Sequence, residues 1–287
     1  MGGRASGPPP LSGRIGRIWR ALGSLFVLLV FVPPLLLLVS GSLTEPGLPP
    51  SPTPQVIPDP VSTAGYRQAL AVGGVLRAAL NSLLVAVVAV PLSVVVAALA
   101  GFALARLAPR RAALIVVASL VALMVPATAL LVPRFAIFRV LGLTDTLVPL
   151  IAPALLGTSP LYVLVYYLAF RALPRDLYDA CLVEDMTPMG IWWRVALPMV
   201  RPVTAAITAL TFVFTWSNFL DPLIYVYDRD LFTLPLALRS LSVLDPTNFP
   251  VFLAGAVLAT GPAVLVFGLA QRRFFHHDDQ TTGRNRP

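Results

Sequence analysis

Long apolar runs alternate with short polar stretches along this chain, and the alternation predicts its elements. Six runs are long enough to matter: Ala21–Ser42, then approximately 79–104, 112–132, 147–170, 203–225 and 251–270. A helix rising 1.5 Å per residue needs about 20 apolar residues to cross the hydrocarbon core of a bilayer. The expected fold is therefore all-α. It is a polytopic membrane protein with six transmembrane helices over residues 21–273, between tails at 1–20 and 274–287. The first run is too long for the core of a signal peptide, and no convincing small-x-small site follows it, so it is expected to be a retained span.

One polar interval stands out, residues 173–202 (LPRDLYDACLVEDMTPMGIWWRVALPMVRP). Its punctuation predicts two short helices. Asp176 is the expected N-cap of the first, with Asp179 in an acidic first turn. Leu177, Ala180, Cys181 and Glu184 follow at i, i+3, i+4 and i+7, a mostly apolar stripe. Thr187 is placed to cap the second helix, with Pro188 at its first position, where a missing N–H is harmless. That helix carries Ile191, Trp192 and Val195 and is expected to stop near Leu197-Pro198. A helix–turn–helix between two membrane spans, with an apolar stripe facing out of the bilayer, calls for a protein partner.

Other stretches are simpler. Residues 1–12 are rich in Gly, Pro and Ser and are expected to be disordered. The Pro-dense segment 44–60 predicts an extended strap over the outer face. Pro91, Pro126 and Pro149 are expected to kink their spans. Trp192 and Trp193 read as anchors at the membrane interface.

Composition narrows the class. Apolar residues make up 57% and charged residues 12% of the chain, against about 25% charged in soluble domains. The mean hydropathy is +0.83. The net charge of +8 comes from 21 arginines with no lysine. They are spread over the loops, which argues against a nucleic-acid surface. With both termini inside, the inner segments hold 15 arginines and the outer segments 6, the bias expected of a cytoplasmic side. The interval 173–202 then lies in the cytoplasm. Cys181 is the single cysteine, so no intrachain disulfide forms, and it is expected to pack as a small apolar residue.

The available chemistry is sparse. A chain without lysine cannot build a P-loop. The two histidines, His276 and His277, sit together in the tail, and there is no H-E-x-x-H, so neither a metal site nor a catalytic residue is expected. Of thirteen acids only Asp221 falls within an apolar run, near its outer end. A carrier driven by protons or sodium needs ionisable groups in the membrane interior. Energy is therefore expected from a partner acting on the cytoplasmic loop.

That loop resembles the cytoplasmic motif of binding-protein-dependent ABC importer permeases, E-A-A-x-x-D-G-x8-I-x-L-P. Asp179-Ala180-Cys181 stands at Glu-Ala-Ala, Glu184-Asp185 at Asp-Gly, and Val195, Leu197 and Pro198 at the Ile-x-Leu-Pro end. Asp replaces Glu with its charge kept. Asp185 replaces a glycine, and Asp is among the few residues that tolerate positive φ. Further stations occur in order. Asn81-Ser82 and the stretch from Ala100 to Arg106 resemble the N-S-L start and A-Y-A-L-A-R end of a span in sugar-type permeases. Met124-Val125-Pro126 and the stretch from Leu141 to Thr146 are similar to M-x-P and L-G-L-x-N-T. The stretch from Thr215 to Leu223 is similar to the W-N-D-F-x-x-P-L of permeases of the maltose-importer type. The tail from 276 departs from the family's Gly-rich end.

The resemblance implies the fold of a type I ABC importer permease, multi-pass in an inner or plasma membrane. It implies that the loop forms a coupling helix seated in an ATPase subunit, and that the partners are a second permease, two ATPase subunits and an extracytoplasmic binding protein. ATP and magnesium would sit on the ATPase, with no cofactor on this chain, and lipid would surround the spans. A sugar is the implied solute. Trp216, Asn218, Phe219 and Asp221 are then candidates to line its path, although helix packing is the other reading of the first three. From another class, the chain reads as a scaffold that anchors an ATPase without a path of its own. A polar, aromatic-lined cavity near Asn218 would favour transport, and dry Leu/Val packing the scaffold.

Overall fold

A computed structural model describes residues 12–47, 57–71, 74–244 and 248–275. Most of the expected strap, nearly all of the expected disordered N-terminal segment, and His276 and His277 lie outside these residues. Every regular element among the described residues is helical.

Helix α1 (Ser12–Ser42) starts before the first apolar run, so residues 12–20 of the expected tail are helical. From Ala21 to Leu37 every residue is exposed. Near its end Ser40 and Ser42 are buried, and Gly41 lies beside Leu253 of the last helix, α14 (Phe249–Phe275). Such a helix, apolar all round, is complete only against lipid or another subunit. The short helix α2 (Ala64–Ala71) leads to α3 (Val75–Ala105), which at 31 residues is about 46 Å long. Pro91 lies inside α3 without interrupting it. Asn81 and Ser82 are therefore two turns into the span and do not open it. Asn81 Nδ2 donates to the carbonyls of Asp230 (2.8 Å) and Phe232 (3.0 Å), and Ser82 Oγ accepts from the Leu234 N–H (2.8 Å). These bonds pin the loop after Tyr225 to the central helix.

The third span is not the continuous 112–132 expected. It is α4 (Pro109–Leu123), a 3₁₀ turn at Ala127–Leu130 and α5 (Leu131–Val140), bent by 85° at the break. Pro126 has no N–H to continue the helix, and its ring disfavours helical geometry at the residue before it. The fourth span is also divided, into α6 (Val148–Ile151), a 3₁₀ turn at Ala152–Leu156 and α7 (Pro160–Arg171). Pro149 sits in the first turn of α6, where proline belongs. Gly157 has φ 71°, and Ser159 caps α7 by accepting from the Leu161 N–H at 3.2 Å.

Next come α8 (Arg175–Val183), α9 (Pro188–Ile191), a π-helical stretch Trp192–Ala196 and α10 (Leu197–Met199). The chain then turns by 84° into α11 (Arg201–Trp216). The expected fifth span, 203–225, is broken too. Helix α11 ends at Trp216, and α12 (Leu220–Tyr225) follows after an irregular Ser217–Phe219. Helices α13 (Leu234–Leu244) and α14 (Phe249–Phe275) complete the fold. Four helices are long and apolar enough to span a membrane, and six spans result if each bent pair counts once.

Helix α3 is the axis, flanked by α7 and α11. It approaches closely because Ala78, Ala86, Ala89, Ala97, Ala98 and Gly101 form its buried face, the small-residue packing by which membrane helices associate.

Between α5 and α6, Asp145 holds the loop that follows α12. Its Oδ1 accepts from the N–H groups of Tyr227 and Asp228, both at 2.8 Å, and its own φ is 60°. The Asp228 bond and then the Tyr227 bond draw its pKa below the ordinary carboxylate value. A depressed pKa stabilises the folded state above the unfolded value, about 3.9, and that contribution disappears as pH falls through the folded value. We expect Asp145→Ala, which removes the one oxygen that accepts both bonds and puts a residue less tolerant of positive φ at this position, to lower Tm more than Asp145→Asn at pH 7. The gap between wild type and Asp145→Ala should narrow in melts near pH 3. A constant gap at both pH values would refute this account of the loop.

Candidate coupling loop and outer cavity

Helix α8 begins two residues earlier than the capping signal suggested. Pro174 occupies the N-cap without a side-chain bond, Asp176 lies within the first turn, and Asp179 is beyond it. The reason is Pro174 itself, whose fixed φ starts the turn before Asp176 can. At the other end Asp185 adopts φ 54°. Its N–H reaches the Leu182 carbonyl at 3.1 Å, and the Met186 N–H reaches that of Cys181 at 3.1 Å. This is the paired closure of a helix C-terminus for which a left-handed residue, usually glycine, is required. Asp185 occupies that position directly. Thr187 then caps the next helix, accepting from the Gly190 N–H at 3.2 Å, with Pro188 following. The helix does not stop at Leu197-Pro198. It loosens to π geometry before Pro198, which has no N–H for the Arg194 carbonyl, and runs on to Met199.

The loop is seated on the largest core cluster. Cys181, Ile191, Trp192, Ala196 and Val200 pack with Phe102 of α3 and with Tyr166 and Phe170 of α7. Phe102 meets Phe170 edge-on at 5.5 Å, and Tyr166 stacks on Phe170 at 5.7 Å. Trp192, expected as an interface anchor, is instead 4% exposed within this core. Its neighbour Trp193 is exposed. Tyr178 reaches the Phe170 carbonyl at 3.3 Å, and the Arg106 guanidinium lies 4.5 Å from the centre of its ring. Burial pushes the Tyr178 hydroxyl above its ordinary pKa, against the pull of Arg106.

The predicted stripe therefore divides. Cys181 is buried and Leu177 half-buried, whereas Ala180 and Glu184 are exposed together with Asp179 and Asp185. Val195, Leu197 and Pro198 are half-buried. The apolar surface that remains outside includes Leu182, Val183 and Met189, with Val183 86% exposed, besides Trp193 and Met199 farther along. Val183 was not singled out by the sequence pattern, which marked the turn acids around it.

The second candidate set does not form one site. Trp216 is buried, stacks on Phe212 at 5.5 Å, and donates from Nε1 to the Ala259 carbonyl of α14 at 2.9 Å. It joins two helices. Asn218 and Asp221 are reciprocally bonded: Asn218 Nδ2 donates to Asp221 Oδ2 at 2.9 Å, and the Asp221 N–H reaches Asn218 Oδ1 at 3.3 Å. Asp221 also pairs with Arg134 at 3.4 Å. Arg134 was read as an outer-loop residue, but the bend at Pro126 brings α5 back over this site.

Asn218 and Asp221 line a small cavity of about 30 Å³ with Ser82, Thr158, Thr215 and Thr233. It has room for a water or two and the polar partners to hold them. Phe219 lines a separate open groove of about 540 Å³ with Leu223, Arg229 and Phe232.

Residues 62–276 match the family described as binding-protein-dependent transport system inner membrane component. The chain is 32% identical to an arabinooligosaccharides transport system permease protein of Halalkalibacterium halodurans, over 68% of this chain and 69% of the relative. It is 29% identical to a diacetylchitobiose uptake system permease protein of Streptomyces coelicolor, over 94% and 90%. Its fold superposes on a chain from the crystal structure of a bacterial ABC transporter that imports the acidic polysaccharide alginate. There the TM-score is 0.76 and the identity 18%, over 94% of this chain and 100% of the other. Its apolar helices, fold and family match together make this chain a multi-pass membrane protein, a permease of the binding-protein-dependent ABC importers.

Proposed function

We propose that this chain is one transmembrane subunit of an ATP-driven carbohydrate importer, and that its 173–202 loop is the part an ATPase subunit grips. One observation carries the reading. The loop is fixed to α3 and α7 by an aromatic core, while a short apolar ridge of Leu182, Val183 and Met189, flanked by Asp179 and Glu184, is left uncovered. A rigid attachment beneath an exposed ridge suits a part that transmits force. The partners are a second permease, two copies of the ATPase, which hold ATP and magnesium, and an extracytoplasmic binding protein. The arginine bias supports cytoplasmic termini.

Substrate moves by alternating access. When the ATPase dimer closes, the loop travels with it as a rigid body, and α3 and α7 follow because the aromatic core joins them. Carbohydrate as solute is supported by the oligosaccharide relatives. The cavity of Asn218 and Asp221 offers acceptors and donors of the kind that bind a hydroxyl group, although at about 30 Å³ it admits a water or a single hydroxyl and not a sugar ring. Phe219 supplies an aromatic face in the neighbouring groove, and Trp216 acts by positioning α11 against α14. The polar lining beside Asn218 favours transport over a pathless scaffold.

Val183→Glu tests the loop assignment. Its side chain is almost wholly exposed, so folding should change by no more than about 0.5 kcal/mol. A charge placed on an apolar docking ridge should cost about 2 kcal/mol or more, a loss of roughly thirtyfold in ATPase retention. Asp179→Lys with Asp185→Lys should have the same effect through charge reversal. Normal co-purification of the ATPase and normal uptake in both variants would remove the basis for this assignment.

A further inference from the structure

A second cavity, of about 470 Å³, opens where the end of α3, the start of α4, the end of α7 and the start of α8 meet. This falls in the size range of pockets that hold small ligands. Arg106, Arg171 and Arg175 line it, with the hydroxyl-bearing Tyr167 and Tyr178 and one acid, Asp179. None of the three arginines forms an ion pair with a described carboxylate.

Their donors are also largely unspent. Arg106 lies over the rings of Phe102 (5.5 Å) and Tyr178 (4.5 Å). Such stacking uses the guanidinium's face and leaves its in-plane N–H groups available. Arg171 gives one N–H to the Tyr167 hydroxyl. Arginine at a helix C-terminus is favourable in itself, but that accounts for Arg106 and Arg171 and not for Arg175 at the start of α8. Three positive forks around one hollow form a receptor for an oxyanion with several acceptor oxygens.

We propose that this cavity binds a phosphate ester. It lies at the ends of three apolar segments, on the side where the 173–202 loop emerges, which is the headgroup level of one leaflet. Leu104, Leu107 and Phe170 contribute apolar wall beside the arginines. An anionic phospholipid headgroup and a soluble phosphate ester present the same chemistry here. Because Tyr178 and Asp179 belong to α8, an occupant ties the α3–α4 turn to the coupling loop and stiffens its seat. The placement of this site on the cytoplasmic side rests on the orientation proposed above. Binding itself does not require an ATPase, so the two readings fail separately.

The test uses the full-length purified chain in native mass spectrometry, with equimolar phosphatidylglycerol and phosphatidylcholine and, in a second arm, glycerol 3-phosphate. Phosphatidylglycerol should be retained preferentially, and Arg106→Gln with Arg171→Gln should reduce its retention about tenfold. Arg110→Gln with Arg111→Gln removes the same charge from the exposed first turn of α4 and should leave retention unchanged. Displacement of the lipid by glycerol 3-phosphate identifies a soluble ligand, and its failure to compete identifies the lipid. Should the glutamine pair not fold, Arg106→Lys with Arg171→Lys keeps the charge but removes the forks and should still weaken retention. The proposal is overturned if neither phosphate ester binds, if both glutamine pairs weaken retention equally, or if the lysine pair binds as well as wild type.

Discussion

Replacing Gly101 by alanine should destabilise the chain by about 2 kcal/mol or more, since overpacking between backbones cannot be relieved by a rotamer change. A Cβ at this position would lie 2.5 Å from the Tyr166 Cβ, 2.9 Å from the Tyr167 nitrogen and 2.9 Å from the Val163 carbonyl oxygen. Two of these are main-chain atoms, so α3 must move away from α7 as a unit. The loosened contact includes Tyr166 and Phe170, on which the 173–202 loop is seated. Thermal unfolding of the full chain in detergent should show a clear fall in Tm. Gly23→Ala, where nothing lies within 4 Å, should show none. Equal melting of the two variants would mean that the α3–α7 contact is not as close as described.

Removing the carboxylate of Asp221 should be nearly as damaging. Arg134 and Asp221 are 28% and 13% exposed in their side chains, and Arg134 has a further buried nitrogen, Nη2, without a partner. Losing one member of a buried pair costs about 3–5 kcal/mol. With this residual exposure we expect about 1–3 kcal/mol for Asp221→Ala. The loss has two parts, the stranded guanidinium and the bond from Asn218 Nδ2 that ties the 217–219 link to α12, while the Asp221 N–H keeps its bond to Asn218 Oδ1. Adding Arg134→Met removes the first part, so the double variant should melt at least halfway back toward wild type. A double variant less stable than Asp221→Ala would show that Arg134 has another essential partner.

The spans were legible because a bilayer demands long apolar runs, and such runs leave no ambiguity in composition. Their breaks were not. Pro91 and Pro126 have the same local chemistry, yet one sits inside a continuous helix and the other beside an 85° bend. What differs is the packing around them. The turn within the 173–202 loop was readable in detail, from Thr187 and Pro188 to the aspartate at the left-handed position, since caps and positive φ are set within four residues. The register of α8 was misjudged by two residues because Pro174 competes with Asp176 to start it. Trp216 gave no local sign that its N–H bonds a carbonyl 43 residues away. Arg134 likewise met Asp221 only through the fold, and the closeness at Gly101 depends on Tyr166 arriving from another helix.

Cys181 is the single cysteine and is buried, which makes a clean labelling experiment possible. In a Cys181→Ser background, Val183→Cys should react rapidly with a polar maleimide when the permease is purified alone. Assembled with its ATPase, the same cysteine should be protected at least about tenfold, as expected of an apolar residue at the centre of a docked surface. Rapid labelling in both states would contradict the claim that this ridge is where the ATPase takes hold.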